Sequence, residues 1–195
     1  MIKLRVCADL IFLVSVKKFK FVLKFKKQSD NDILMRFKFN SRGFIMPYQR
    51  ITSSVEEIAE VFVKPFPDSE TRQIIFDNYL NYLDDFQTLI TTNFTHWLDG
   101  SFMSKKLNPN DLDFVAFIDY RIYQQKEEQI FRIVEKFGYL KLDNYVSQIF
   151  PKEHSRHSET IHYKDYWTPL FSSSRRDPET NVQIPRGFIE IIFEQ

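Results

Sequence analysis

A chain of 195 residues has room for one domain with a small appendage, and a hydrophobic fraction of 43% is ample for a core. The formal net charge of +1 argues against a protein built chiefly to coat nucleic acid or an acidic surface. Its one cysteine, Cys7, excludes an internal disulfide framework and fits a reducing, cytoplasmic setting, and no apolar run reaches the length of a membrane-spanning helix.

Residues 1–34 differ in character from the rest of the chain. The apolar run Ile11-Phe12-Leu13-Val14 leads into a lysine-rich stretch from Lys17 to Lys27. A signal peptide is disfavoured because Asp9 interrupts the pattern and no clean small-residue cleavage site comes after it. A basic amphipathic surface segment is a second reading. The preferred reading is an N-terminal extension outside a folded domain spanning residues 35–195.

In that domain, Ser54-Val55-Glu56-Glu57 has the spacing of a capping box, and Ile58, Val61 and Phe62 continue it at helical period until Pro65 and Pro67. A longer helix entering through Asp68 or Ser69 places Ile75, Tyr79, Leu80, Leu83, Phe86 and Ile90 on one stripe. Phe94 to Leu98 reads as a strand, Gly100-Ser101 as a tight turn, and Asp111 to Phe117 as a second strand opening with two aspartates. Ile122, Ile130, Ile133, Val134 and Phe137 recur at helical spacing, with Gly138 at the expected stop. Tyr139 to Val146 reads as a third strand, and the tail from Pro151 as loop-rich until a last strand over Gly187–Phe193 that carries Glu190. Strands alternating with helices predict a mixed α/β (α+β) domain, a small mixed sheet flanked by helices.

The chemistry concentrates between residues 97 and 117. Asp111 and Asp113 are two apart, so on a strand both carboxylates leave one face. Carboxylates beside a turn of exposed backbone N–H groups suit a divalent metal and a phosphate chain. Gly100 lets the backbone approach phosphate without a Cβ in the way, Ser101 adds a hydroxyl, and Lys106 or Lys105 can neutralise charge.

Gly100-Ser101, nine residues, then Asp111-Leu112-Asp113 between apolar residues resembles the signature of the DNA polymerase beta-like nucleotidyltransferase superfamily. The longer pattern is similar to a bacterial family of uncharacterised nucleotidyltransferase-like domains. It comprises Ser69-Glu70-Thr71-Arg72, Trp97-Leu98-Asp99-Gly100-Ser101-Phe102 and Lys106-Leu107-Asn108-Pro109-Asn110-Asp111-Leu112-Asp113. The resemblance implies a nucleotidyltransferase fold over about residues 35–195. It implies Asp111 and Asp113 as ligands of Mg2+ (or Mn2+), with a third acid completing the catalytic set. Asp143, on the next predicted strand, is favoured for that role, with Glu190 as the alternative.

The implied reaction moves a nucleoside monophosphate from a nucleoside triphosphate to a hydroxyl of a protein, an RNA or a small molecule. Minimal members of the superfamily often act in bacterial toxin–antitoxin or phage-defence pairs, so a cognate toxin or antitoxin is an expected kind of partner. Phe102-Met103-Ser104-Lys105-Lys106 lacks the arginine that many catalytic members carry after the turn. That departure keeps open a non-catalytic alternative, a nucleotide- or partner-binding module on the same fold. Direct nucleic-acid binding is possible but not indicated by charge.

The remaining polar residues have plainer readings. His154, His157 and His162 with Glu153 match no common zinc spacing and read as a polar loop near the rim of the site. His96, inside an apolar run, reads as a core or edge histidine. Ser172-Ser173-Ser174-Arg175-Arg176 reads as a solvated basic loop that could reach a phosphate, and Tyr163, Tyr166 and Trp167 as packing residues.

Overall fold

In a computed structural model of the protein, which describes residues 36–176 and 180–194, the chain builds a mixed α/β domain. The expected extension, residues 1–34, lies outside the described residues. The elements are β1 (Lys38–Phe39), β2 (Ile45–Met46), β3 (Arg50–Thr52), α1 (Val55–Phe62), α2 (Arg72–Leu89), β4 (Phe94–Asp99), β5 (Leu112–Asp119), α3 (Tyr120–Gly138), β6 (Leu142–Ile149), α4 (His157–Phe171) and β7 (Phe188–Phe193). Strands β1 and β2 form an antiparallel hairpin, and the other five form one sheet in the order β3-β7-β4-β5-β6. Within it β3 runs parallel to β7 and β5 parallel to β6, while β4 is antiparallel to both its neighbours. Among the described residues, no helix is long and apolar enough to cross a membrane.

The two faces of the sheet are set by strand alternation. On one face His96, Phe114 and Phe193 meet Tyr79, Tyr82, Phe86 and Phe137 from α2 and α3 in a web of edge-on and tilted rings. His96 is fully buried there, and its Nδ1 lies 3.0 Å from the Tyr79 hydroxyl. Burial pushes its imidazole down to about 3, so the ring is neutral at physiological pH. The other face carries a smaller cluster of Trp97, Val115, Phe117 and Phe188, closed by Phe171 and Trp167 of α4.

The capping box forms as expected: Glu57 N–H donates to Ser54 Oγ, and the Glu57 side chain accepts from the Ser54 backbone N–H. Several boundaries move. Ser69 Oγ accepts from the N–H groups of Thr71 and Arg72, so α2 begins three residues later than Ser69 itself. Gly138 is the last residue of α3 rather than its left-handed stop; the reversal falls on Lys141 (φ 64°), which shifts β6 to start at Leu142. The tail read as loop contains α4, fifteen residues long. Its inward stripe of Thr160, Tyr163, Trp167 and Phe171 is blurred by exposed Ile161, Tyr166 and Leu170 and crossed by Pro169, which is why the pattern reads as irregular.

Candidate functional site

The loop after β4 is built around one buried side chain. Arg72, at the first turn of α2, is 0% exposed. Its guanidinium donates from Nη1 to the carbonyls of Phe62 (2.7 Å) and Phe102 (2.8 Å), from Nη2 to those of Ser104 (2.7 Å) and Lys106, and from Nε to Lys106 again (3.1 Å). These bonds use all five of its N–H donors. Its flat face lies 4.0 Å from the Phe66 ring centroid. Burial lowers its pKa to about 10, still charged at neutral pH. Asn108 adds a second tie, its Oδ1 accepting from Ser69 Oγ (3.0 Å) and from Glu70 N–H (2.9 Å). The Ser69–Arg72 and Lys106–Asn108 motifs are therefore two halves of one brace that fixes Phe102–Lys106.

Against this brace three aspartates fall in a row across adjacent strands. Asp99, the last residue of β4, pairs in register with Asp113 of β5, and Asp113 pairs with Asp143 of β6. Register partners share a face, so all three side chains leave the α4 side of the sheet. Asp111 stands just before β5 rather than on it, because strand pairing starts at Leu112, whose N–H donates to the Lys141 carbonyl (3.1 Å). The expected Asp111–Asp113 alternation on a strand is corrected to one carboxylate on the strand and one on its lead-in. Both still border the same cleft.

Gly100 turns the chain at φ 86°, and a Cβ there would lie 1.7 Å from Asp113 Oδ2. Only glycine lets the turn sit against that carboxylate. Asp113 is pushed up to about 6, first by burial and then by repulsion from Asp111 and Asp143, with Arg186 and Arg175 opposing. Asp99 is 2% exposed and ion-paired with Arg186. Burial raises its carboxyl well above the usual range, Asp113 adds to the rise, and Arg186 offsets it.

A cleft of about 820 Å3 opens at this end of the sheet. Gly100, Ser101, Asp111 and Asp113 line it; Arg42, Lys105, Lys106, Arg175 and Arg186 supply positive charge around it. The turn between β1 and β2 forms one wall, bound to the braced loop by Lys105 N–H donating to the Gly43 carbonyl (2.9 Å) and by a bridge between Phe44 and Ser104. The structure thus brings together Gly100, Ser101, Lys106, Asp111 and Asp113, with Asp143 beside Asp113 on the exposed edge strand β6. The Tyr145 hydroxyl borders Asp143 and is pushed up to about 12, by burial and then by its hydrogen bond to that carboxylate.

Glu190 is not in this group. It lies two strands from Asp113, opposite Trp97, and its carboxylate accepts from Trp97 Nε1 (3.0 Å) and Thr52 Oγ1 (3.4 Å) and pairs with Arg50. The histidine loop also lies elsewhere. His154 packs on Tyr120 and Phe150 beyond the far end of β5, about 20 Å along the strand from Asp113 rather than at the rim of the cleft.

Asp111 and Asp113 are hard oxygen donors, and Mg2+ in phosphate chemistry takes one or two carboxylates together with substrate phosphates. The donor chemistry therefore fits that ion, although among the described residues no group of three His, Cys, Asp or Glu side chains is spaced to hold a metal alone. Asp99, Arg42 and Arg186 are site residues that the sequence reading missed. Asp99 carried a signal, since it precedes the Gly-Ser turn. Arg186 carried none, being 87 residues away from its partner.

No curated protein and no solved structure matches the chain. Residues 37–192 match a family of unknown function, DUF6932, and on that match over most of its length the protein belongs to this family.

Proposed function

We propose that the protein is a Mg2+-dependent nucleotidyltransferase, with the fold of the DNA polymerase beta-like superfamily, that moves a nucleoside monophosphate from a triphosphate to an acceptor hydroxyl. The observation that carries this reading is the contact of the Gly100 turn with the Asp113 carboxylate, inside a cleft that pairs two acids with five cations. The cations outnumber these acids even with Arg186 paired to Asp99, and a triphosphate complements the excess. The backbone at Gly100-Ser101 would receive phosphate oxygens, and Lys106 would neutralise charge on the chain.

Asp111 and Asp113 would hold the cation, which on binding supplies electrostatic stabilisation of the phosphates and of the departing pyrophosphate. Asp143, exposed and in register beside Asp113, would accept the proton of the acceptor hydroxyl as its oxygen bonds to the α-phosphorus and the bond to pyrophosphate breaks. The test is incubation with each of the four α-phosphate-labelled ribonucleoside triphosphates, Mg2+ and cell extract. Label transferred to a macromolecule or a small acceptor by the wild type and lost in D111N supports the assignment. No transfer with any triphosphate, in Mg2+ or Mn2+, overturns it.

A further inference from the structure

Two arginines are largely buried in this part of the molecule, and they are built differently. Arg72 has every N–H bonded to a carbonyl, the pattern of a structural brace. Arg186 faces the cleft with its side chain 14% exposed. Its Nη2 donates to Asp99 Oδ2, yet its Nε is buried with no hydrogen-bond partner, and so is Asp99 Oδ1, among the described residues. A buried pair kept only for stability would be expected to have these groups satisfied, because each orphaned donor or acceptor forfeits its hydration.

The backbone around Arg186 is fixed from both sides. Its N–H donates to the Ser172 carbonyl (2.9 Å), and Gly187 N–H donates to the Ile45 carbonyl (2.9 Å). Gly187 is packed so closely that a Cβ would come within 2.5 Å of the Pro47 carbonyl oxygen. Asp99 is held equally firmly at the end of a central strand. A cation is thus held on a rigid mount, oriented by a rigid carboxylate, with bonding capacity left over at the wall of a cationic cleft.

We propose that Arg186 is a phosphate-gripping residue of the cleft and that Asp99 is a positioning residue that aims its guanidinium at a polyphosphate chain. This inference rests on the nucleotide reading for its ligand class but not for its test. Inorganic tripolyphosphate, pyrophosphate and orthophosphate are titrated in Mg2+ by calorimetry into wild type, R186M, R186K, D99N, D99N/R186M and D111N. Wild type is expected to bind tripolyphosphate more tightly than orthophosphate. R186M should weaken tripolyphosphate by about tenfold or more, the loss expected for a charge-assisted contact. R186K, which keeps the charge without the fork, should fall between. D99N should weaken binding about threefold to tenfold, and the double variant should be no weaker than R186M alone, since Asp99 acts through Arg186.

The double variant leaves no lone buried charge, so it covers the case in which R186M misfolds. Additive losses at the two positions would make Asp99 merely structural and overturn its assigned role. Unchanged affinity in the folded R186M or D99N/R186M, or no tripolyphosphate binding by wild type, overturns the proposal. Loss in R186M with no effect of D111N supports the phosphate grip while counting against the metal assignment. Loss in D111N alone does the reverse.

Discussion

Replacing Asp113 with asparagine is expected to make the protein more stable at neutral and alkaline pH while removing its function. The carboxyl is raised from 3.8 to about 6 in the folded state, by burial and by the charges of Asp111 and Asp143. A raised value means that the native state holds the proton more tightly than the unfolded chain. Stability from this group is therefore complete below pH 3.8 and lost as pH rises through 6. The difference of about two units corresponds to about 3 kcal/mol at most.

Asparagine cannot ionise, so D113N should equal wild type near pH 3.5 and exceed it by up to about 3 kcal/mol at pH 8. For a domain of this size that is a rise in melting temperature of about 6–12 °C. The assay is thermal unfolding of metal-free protein from pH 3.5 to 8, monitored by the fluorescence of the two tryptophans, Trp97 and Trp167. A stability difference that does not change with pH, or a wild type more stable at pH 8, would refute the placement of Asp113 among like charges. A pH-dependent gain in D113N, together with loss of nucleotide binding, would instead show the usual conflict between function and stability at this site.

The same geometry sets three further outcomes. R72M removes five hydrogen bonds at once and leaves four carbonyls without their donor, three of them in buried contacts, so it should destabilise the fold by about 3–5 kcal/mol in urea titrations and expose residues 102–106 to limited proteolysis; wild-type stability in R72M would contradict the brace. G100A must either displace Asp113 or abandon the turn, given its φ of 86° and the 1.7 Å approach, so calorimetry should register no nucleotide binding even where the variant stays folded. Because the His96 imidazole is depressed to about 3, its contribution to stability is full above pH 6.5 and lost as pH falls towards 3, by up to about 5 kcal/mol. H96F should flatten that acid limb of the stability curve, and an unchanged slope would show that other groups set it.

Local chemistry was legible in the sequence wherever it depends on neighbours along the chain. The Ser54–Glu57 capping box, the apolar stripe of α2 and the Gly100-Ser101 turn before an acidic strand are all of this kind. What depended on register was not. Asp99 joins the aspartate row only because β4 and β5 pair Asp99 with Asp113, and no spacing within one strand announces that. Strands β1 and β2 have two residues each and β3 has three, too short for an alternation to show. Arg186 and Arg42 reach the cleft from distant segments, brought there by β7 and by the β1–β2 turn. The Ser69–Arg72 motif was visible as a pattern, but its purpose was not, since the carbonyls it binds lie 10 to 34 residues along the chain.

On the proposed function, Asp111 and Asp113 hold a divalent cation against the phosphates of a nucleotide bound beside Gly100. The decisive measurement is calorimetric titration of the four ribonucleoside triphosphates with Mg2+ and with chelator. At least one should bind wild type in Mg2+, and that binding should disappear with chelator and in D111N and D113N. Binding that persists unchanged in both variants, or no binding of any triphosphate to the wild type, would contradict the account.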